Sequence, residues 1–156
     1  MSLVLKQKAP DFKLFTTEKK EVSLSDNAGK NVVLLFFPLA FTGTCTAELC
    51  NIRDNYAVYN QLNAVVYGIS VDSLFSLGKF KAEQNLNFDL LSDFNKVVST
   101  AYGSLYETFG FGMIGVSKRS AFVIDKAGVL QYAEVLEVAS ELPNFAAIQA
   151  CLAELK

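Results

Sequence analysis

The stretch NVVLLFFPLAFTGTCTAELC, Asn31 to Cys50, decides the fold. Asn31 to Phe37 is an unbroken run of β-branched, aliphatic and aromatic residues, the pattern of a strand buried on both faces of a sheet. Pro38 ends the run and a polar Gly/Thr turn follows. Beyond the turn, "CTAELCNIRDNYAVYNQL" places Leu49, Ile52, Tyr56 and Tyr59 on one helical face. Thr42 and Thr44 are both N-cap residues by type. Cys45 therefore falls past the carboxyl end of a central strand, where sites in open α/β sheets lie. Unpaired helix N–H groups and the positive end of the helix dipole favour a thiolate there. The competing reading, a small buried hydrophobe, suits Cys151 in its apolar helix better than Cys45 in its polar turn.

Working outward, "FKLFTTEKKEVSLSD" shows two short alternating stretches about Thr16 to Lys20, a hairpin. Ala64 to Val71 reads as a second buried strand, and "SLFSLGKFKAEQN" as an amphipathic helix capped by Ser73. "LLSD" reads as a short strand or turn, followed by a helix from about Asn95 to Ala101. "GSLYETFGFGMIGVSK" holds four glycines and no period, a long loop. "SAFVID" and "VLQYAEVL" flank "KAG", an antiparallel hairpin. A helix from about Pro143, near its N1 position, to Leu155 closes the chain. Alternating β and α elements predict a thioredoxin-like α/β fold, a central mixed sheet with helices on both faces, formed as a single domain over residues 1–156.

Composition narrows the chemistry. The chain is 51% hydrophobic with net charge −2 and no basic stripe, which argues against disorder and against nucleic acid. No apolar window is long enough to span a membrane. An odd count of three cysteines without a signal peptide points to a reducing, cytoplasmic setting. Histidine is absent, so Ser-His-Asp, Cys-His and imidazole–metal chemistry are all excluded. No metal and no cofactor is expected. Whatever ionises Cys45 is not an imidazole. Pro38 can shield the turn from water, and the Thr42 hydroxyl can donate to the sulfur or to a bound oxygen.

Pro38, Thr42 and Cys45 together form P-x-x-x-T-x-x-C, which resembles the peroxidatic motif of peroxiredoxins, thioredoxin-fold thiol peroxidases. "APDF", "AVVYGISVDS", "FDLLSD", "AYG" and "KRSAFVIDKAGVL" resemble that family in the same order, so the likeness covers nearly the whole chain. It implies reduction of hydrogen peroxide and organic hydroperoxides through a sulfenic acid at Cys45, with Arg119 as the active-site arginine. A guanidinium near both sulfur and peroxide favours the thiolate and then the leaving oxygen. Arg53 and Lys118 compete for this role. Arg53 can instead be a solvated partner of Asp54 or Glu48. Glu48 opposes ionisation of a neighbouring thiol, so its expected task is to hold an arginine; an ordinary first-turn acid is the alternative.

The resemblance extends to the bacterioferritin-comigratory subgroup, where a resolving cysteine often stands at the position of Cys50. Five helical residues separate Cα atoms by roughly 8 to 9 Å. A disulfide needs less than about 7 Å, so the helix start must unwind first. The alternative is a one-cysteine enzyme with Cys50 as packing. A thiol–disulfide oxidoreductase would want C-x-x-C, but Glu48 occupies the second position; a non-enzymatic redox sensor is the other rival. The expected partners are a peroxide and a thioredoxin-like or other thiol reductant. Two readings of the Phe109–Met113 loop stay open: an apolar mouth for alkyl peroxides, or a face packed on a second subunit in a homodimer.

Overall fold

The structure, a computed structural model, describes residues 3–155. Its strands are β1 (Lys13–Thr16), β2 (Glu21–Ser23), β3 (Asn31–Phe36), β4 (Ala64–Ser70), β5 (Asp89–Ser92), β6 (Ser120–Ile124) and β7 (Leu130–Val135). They form one sheet in the order β2-β1-β5-β4-β3-β6-β7. β3, β4 and β5 run parallel, while the two hairpins add antiparallel strands at either side. This is the thioredoxin-like mixed sheet that the alternating elements predict. The helices are α1 (Gly43–Asp54), α2 (Tyr56–Gln61), α3 (Leu74–Gln84), α4 (Val97–Ala101) and α5 (Phe145–Leu155). Among the described residues no helix is long and apolar enough to cross a membrane.

β3 is buried along its whole length, as its unbroken apolar run requires. Val33, Leu35 and Phe37 pack with Leu49 and Ile52 of α1, Phe80 of α3 and Ile148 and Leu152 of α5. Val32, Leu34 and Phe36 meet Tyr102, Phe122 and Leu24 on the other face. Each such side chain contributes about 1.5–3 kcal/mol of transfer free energy, so β3 is the anchor for the loop that leaves it. Gly68 lets α1 and β5 close on β4: a Cβ there would lie 2.7 Å from Leu90 Cδ2.

Several elements differ from expectation. The single helix expected after the turn is two, broken at Asn55, whose side chain donates to the Asn51 carbonyl at 2.8 Å and competes with the helical pattern. Of the two readings of "LLSD", the strand holds: Leu90–Ser92 lie in β5, paired to β4, and Asp93 follows it. α4 begins at Val97 rather than near Asn95, because Lys96 is left-handed and Asp93 accepts from the N–H groups of Val98 and Ser99. Pro143 is not at N1 of the last helix. Asn144 takes the cap and accepts from the Ala147 N–H at 3.0 Å.

The register fixes the site. Phe36, at the end of β3, pairs with Ser120, at the start of antiparallel β6. Arg119 therefore stands beside the loop that carries Cys45.

Candidate active site

The loop from β3 to α1 is pinned residue by residue. The Phe37 N–H extends the sheet by donating to Ile69 O at 3.0 Å, and Pro38 is buried. The Ala40 N–H donates to Asp72 Oδ2 at 2.8 Å. Phe41 has φ 68°, a left-handed conformation that costs energy for a bulky residue, and its ring lies edge-on to Phe80 at 5.2 Å. Thr42 then takes the extended N-cap position of α1. Its hydroxyl donates to Leu39 O at 2.7 Å, so its hydrogen points into the loop rather than to the sulfur or to the place of a bound oxygen. The oxygen's lone pairs stay available as acceptors. The first-turn N–H groups have no partner within the helix, and Thr42 takes none of them.

Cys45 is the third residue of α1, fully buried beneath the exposed turn Phe41–Gly43. Arg119 Nη2 lies 3.3 Å from its Sγ. The rest of that guanidinium is fixed: Nη1 donates to Glu48 Oε1 at 2.7 Å and Nε to Ala139 O at 2.7 Å. Arg119 is itself 2% exposed, so its charge faces the sulfur across a medium with little water, where electrostatic interactions are stronger. Burial works against that charge, but Glu48 and Cys45 outweigh it and hold the Arg119 pKa above its ordinary value. Glu48 is pushed up to about 7, chiefly by burial, against the pull of Arg119 and with help from Glu134. Its Oε2 has no hydrogen-bond partner among the described residues.

The geometry thus brings Cys45, Arg119 and Glu48 together under the Pro38–Thr42 loop. It does not bring Arg53 to the sulfur. Arg53 lies about two turns further along α1 and bonds Asp54 at 2.9 Å and Gln84 O at 2.6 Å. Lys118 pairs with exposed Glu137 at 2.9 Å. Cys50 lies within α1, and its thiol donates to Gln84 Oε1 at 3.5 Å. Cys45, Cys50 and Cys151 are all free. Leu39, Val71, Tyr106, Phe109, Val116 and Ala139 form a small apolar cluster beside the loop. Asp72, Ala139 and Gln84 were not singled out from sequence. Asp72 sits within "ISVDS", a readable signal; a backbone carbonyl such as Ala139 O leaves none.

A water-excluded sulfur facing a fixed cation is the electrostatics of a cysteine enzyme. The family model described as the AhpC/TSA family matches residues 5–133. Peroxiredoxin Bcp of Bacillus subtilis is 41% identical over 132 residues, covering 83% of this chain and 83% of that one. Peroxidoxin BcpB of Mycobacterium tuberculosis superposes with TM-score 0.85 at 27% identity, covering 98% of this chain and 99% of that one. The bacterioferritin comigratory protein of Xanthomonas campestris, described for alkyl peroxide reduction, gives TM-score 0.80 at 26% identity over 93% of this chain and 92% of that one. The chain belongs to the AhpC/TSA family of peroxiredoxins, fits its bacterioferritin-comigratory subgroup, and is a thiol-dependent peroxidase.

Proposed function

We propose that the peroxidase reaction runs through Cys45, and the observation that carries this reading is the 3.3 Å contact between Arg119 Nη2 and the Cys45 sulfur. The thiolate attacks one peroxide oxygen. The S–O bond forms as the O–O bond breaks, and hydroxide or alkoxide leaves to take up a proton. Sulfur is oxidised by two electrons to a sulfenic acid. Arg119 stabilises negative charge first on sulfur and then on the departing oxygen. The Thr42 oxygen accepts from the peroxide O–H, and the free N–H groups of the first helical turn hold it in line. Glu48 keeps the guanidinium aimed. Pro38 closes the site to water.

Cys50 then attacks the sulfenic sulfur, forming a disulfide and releasing water. A thioredoxin-like thiol reductant in the cytoplasm returns both sulfurs to thiols by exchange. Substrates are hydrogen peroxide and organic hydroperoxides, the latter taken against the apolar cluster of Leu39 and Phe109. The reading treats residues 1–156 as one domain. It also gives the exposed apolar residues Phe111 and Ile114 to a second copy of the chain, as a homodimer.

Intact mass after one equivalent of peroxide tests the reading. The wild-type protein loses two hydrogen atoms. Cys50→Ser gains oxygen instead, and Cys45→Ser neither changes mass nor consumes peroxide. Turnover by Cys45→Ser with dithiothreitol as donor would sink the assignment of Cys45. Oxygen addition to the wild type would make this a one-cysteine enzyme.

A further inference from the structure

We propose that Asp72 is a positioning residue for peroxide reduction, holding the loop that aims Thr42 and the first N–H groups of α1. The inference rests on the Cys45 reading and adds a residue outside the motif.

Asp72 follows β4 and precedes the cap of α3. It is fixed on three sides. Fully buried Ser70 donates its hydroxyl to Asp72 Oδ2 at 2.8 Å and accepts from the Asp72 N–H at 3.0 Å. The Ser92 hydroxyl donates to the Asp72 carbonyl at 2.6 Å. Ser70 and Ser92 are register partners on β4 and β5, so the ends of two central strands grip one residue. The same Oδ2 then accepts the Ala40 N–H at 2.8 Å, a charge-assisted hydrogen bond across 32 positions of sequence.

What Asp72 holds is the turn under strain. Phe41, next to Ala40, is left-handed at φ 68° without being glycine. Such a conformation persists only when its surroundings over-determine it, and it clusters where geometry matters to function. Here the Asp72 bond fixes one side of Phe41, and the Thr42 hydroxyl on Leu39 O and the first turn of α1 fix the other. If Ala40 swings free, Phe41 can relax to an ordinary conformation. Thr42 and the first N–H groups of α1 then lose their aim at the peroxide. Arg119, just before β6, meets the sulfur at 3.3 Å without using this loop, so that contact is expected to survive. The consequence is specific: loss of Asp72 impairs peroxide attack far more than it impairs the sulfur as a general nucleophile.

The test compares Asp72→Ala, Asp72→Glu and Asp72→Asn. Each is assayed for peroxide reaction, by competition against a reference peroxidase, and for Cys45 alkylation by iodoacetamide, followed by peptide mass. Asp72→Ala removes the acceptor. Asp72→Glu keeps the charge but carries the carboxylate one methylene past Ala40. Asp72→Asn keeps an oxygen in place without the charge. The Ala and Glu variants are expected to slow the peroxide reaction roughly 10- to 100-fold, the scale set by small misplacements of reacting groups. Their alkylation should stay near wild type, and Asn should recover most of the peroxide rate. Wild-type rates in both Ala and Glu, equal losses in both reactions, or an Asn variant as slow as Ala would overturn the proposal. Should the Ala variant not fold, the contrast between Glu and Asn decides. A wild-type protein whose Cys45 ignores peroxide would defeat the Cys45 reading itself; a reactive wild type with unaffected variants defeats this inference alone.

Discussion

Arg119 is a charge buried at a cost that its three contacts offset: the Cys45 sulfur, Glu48 and the Ala139 carbonyl. Arg119→Ala should slow peroxide reduction by about 10²-fold or more, the scale for losing one positioned donor, and also slow Cys45 alkylation near neutral pH. Arg119→Lys keeps the charge but not the planar fork, so alkylation should recover better than the peroxide rate. Wild-type behaviour of both variants in both assays would reduce Arg119 to a structural residue. Glu48 makes a separate prediction. Its folded pKa of about 7 lies above the ordinary 4.5, so between those values the folded state binds the proton more tightly than the unfolded chain. The stability it carries is whole below about 4.5 and is lost as pH rises through about 7. Urea unfolding across that window should show the wild type falling relative to Glu48→Gln by on the order of a few kcal/mol. Parallel pH profiles would show that Glu48 is ionised throughout.

At the scale of the element, the proposed reaction gives α1 two tasks that conflict. Its first turns must be ordered to present Cys45 to Arg119, yet Cys45 and Cys50 in regular helix are too far apart to join. The two halves of the helix are held differently. Beyond Cys50, Arg53 donates to Gln84 O at 2.6 Å and accepts at its carbonyl from Asn87 at 3.2 Å, tying the second half to the end of α3. The N-terminal half has an exposed, strained turn before it and no side-chain cap. After one equivalent of peroxide, amide hydrogen exchange should rise through residues 43–50 and change little at residues 53–61. A protein that forms the internal disulfide without faster exchange in the first segment would contradict unwinding as the route.

For the molecule as a whole, the sheet gathers function at one end. The carboxyl ends of β3, β4 and β5, the start of β6 and the end of β7 lie together by register. Phe41, Phe94, Phe111 and Ile114 are exposed in loops, and Phe75 and Val97 in the first turns of α3 and α4. Scattered apolar residues need no explanation; the proposed homodimer contact draws on Phe111 and Ile114 of this set. Sedimentation should show a mass that rises towards twice the monomer with concentration, and Phe111→Glu with Ile114→Glu should hold it at the monomer. A monomer throughout, or a dimer indifferent to both charges, would remove the proposed homodimer contact.

The sequence by itself determined most of the local elements and named the proposed reacting groups. The Asn31–Phe37 run, the Gly/Thr turn and the absence of histidine were legible because strand pattern, turn chemistry and side-chain inventory are local properties. The placement of Cys45 at a helix start followed from the same few residues. The motif resemblance, rather than any period, pointed to Arg119. Its distance from the sulfur, the burial of Glu48 and the diversion of Arg53 to Gln84 depended on which strands became neighbours. So did the grip of Asp72 on Ala40, which joins two loops through a single backbone N–H that no side-chain pattern records. Only the tertiary structure decided these, because long-range pairing and desolvation arise from the packed sheet as a whole.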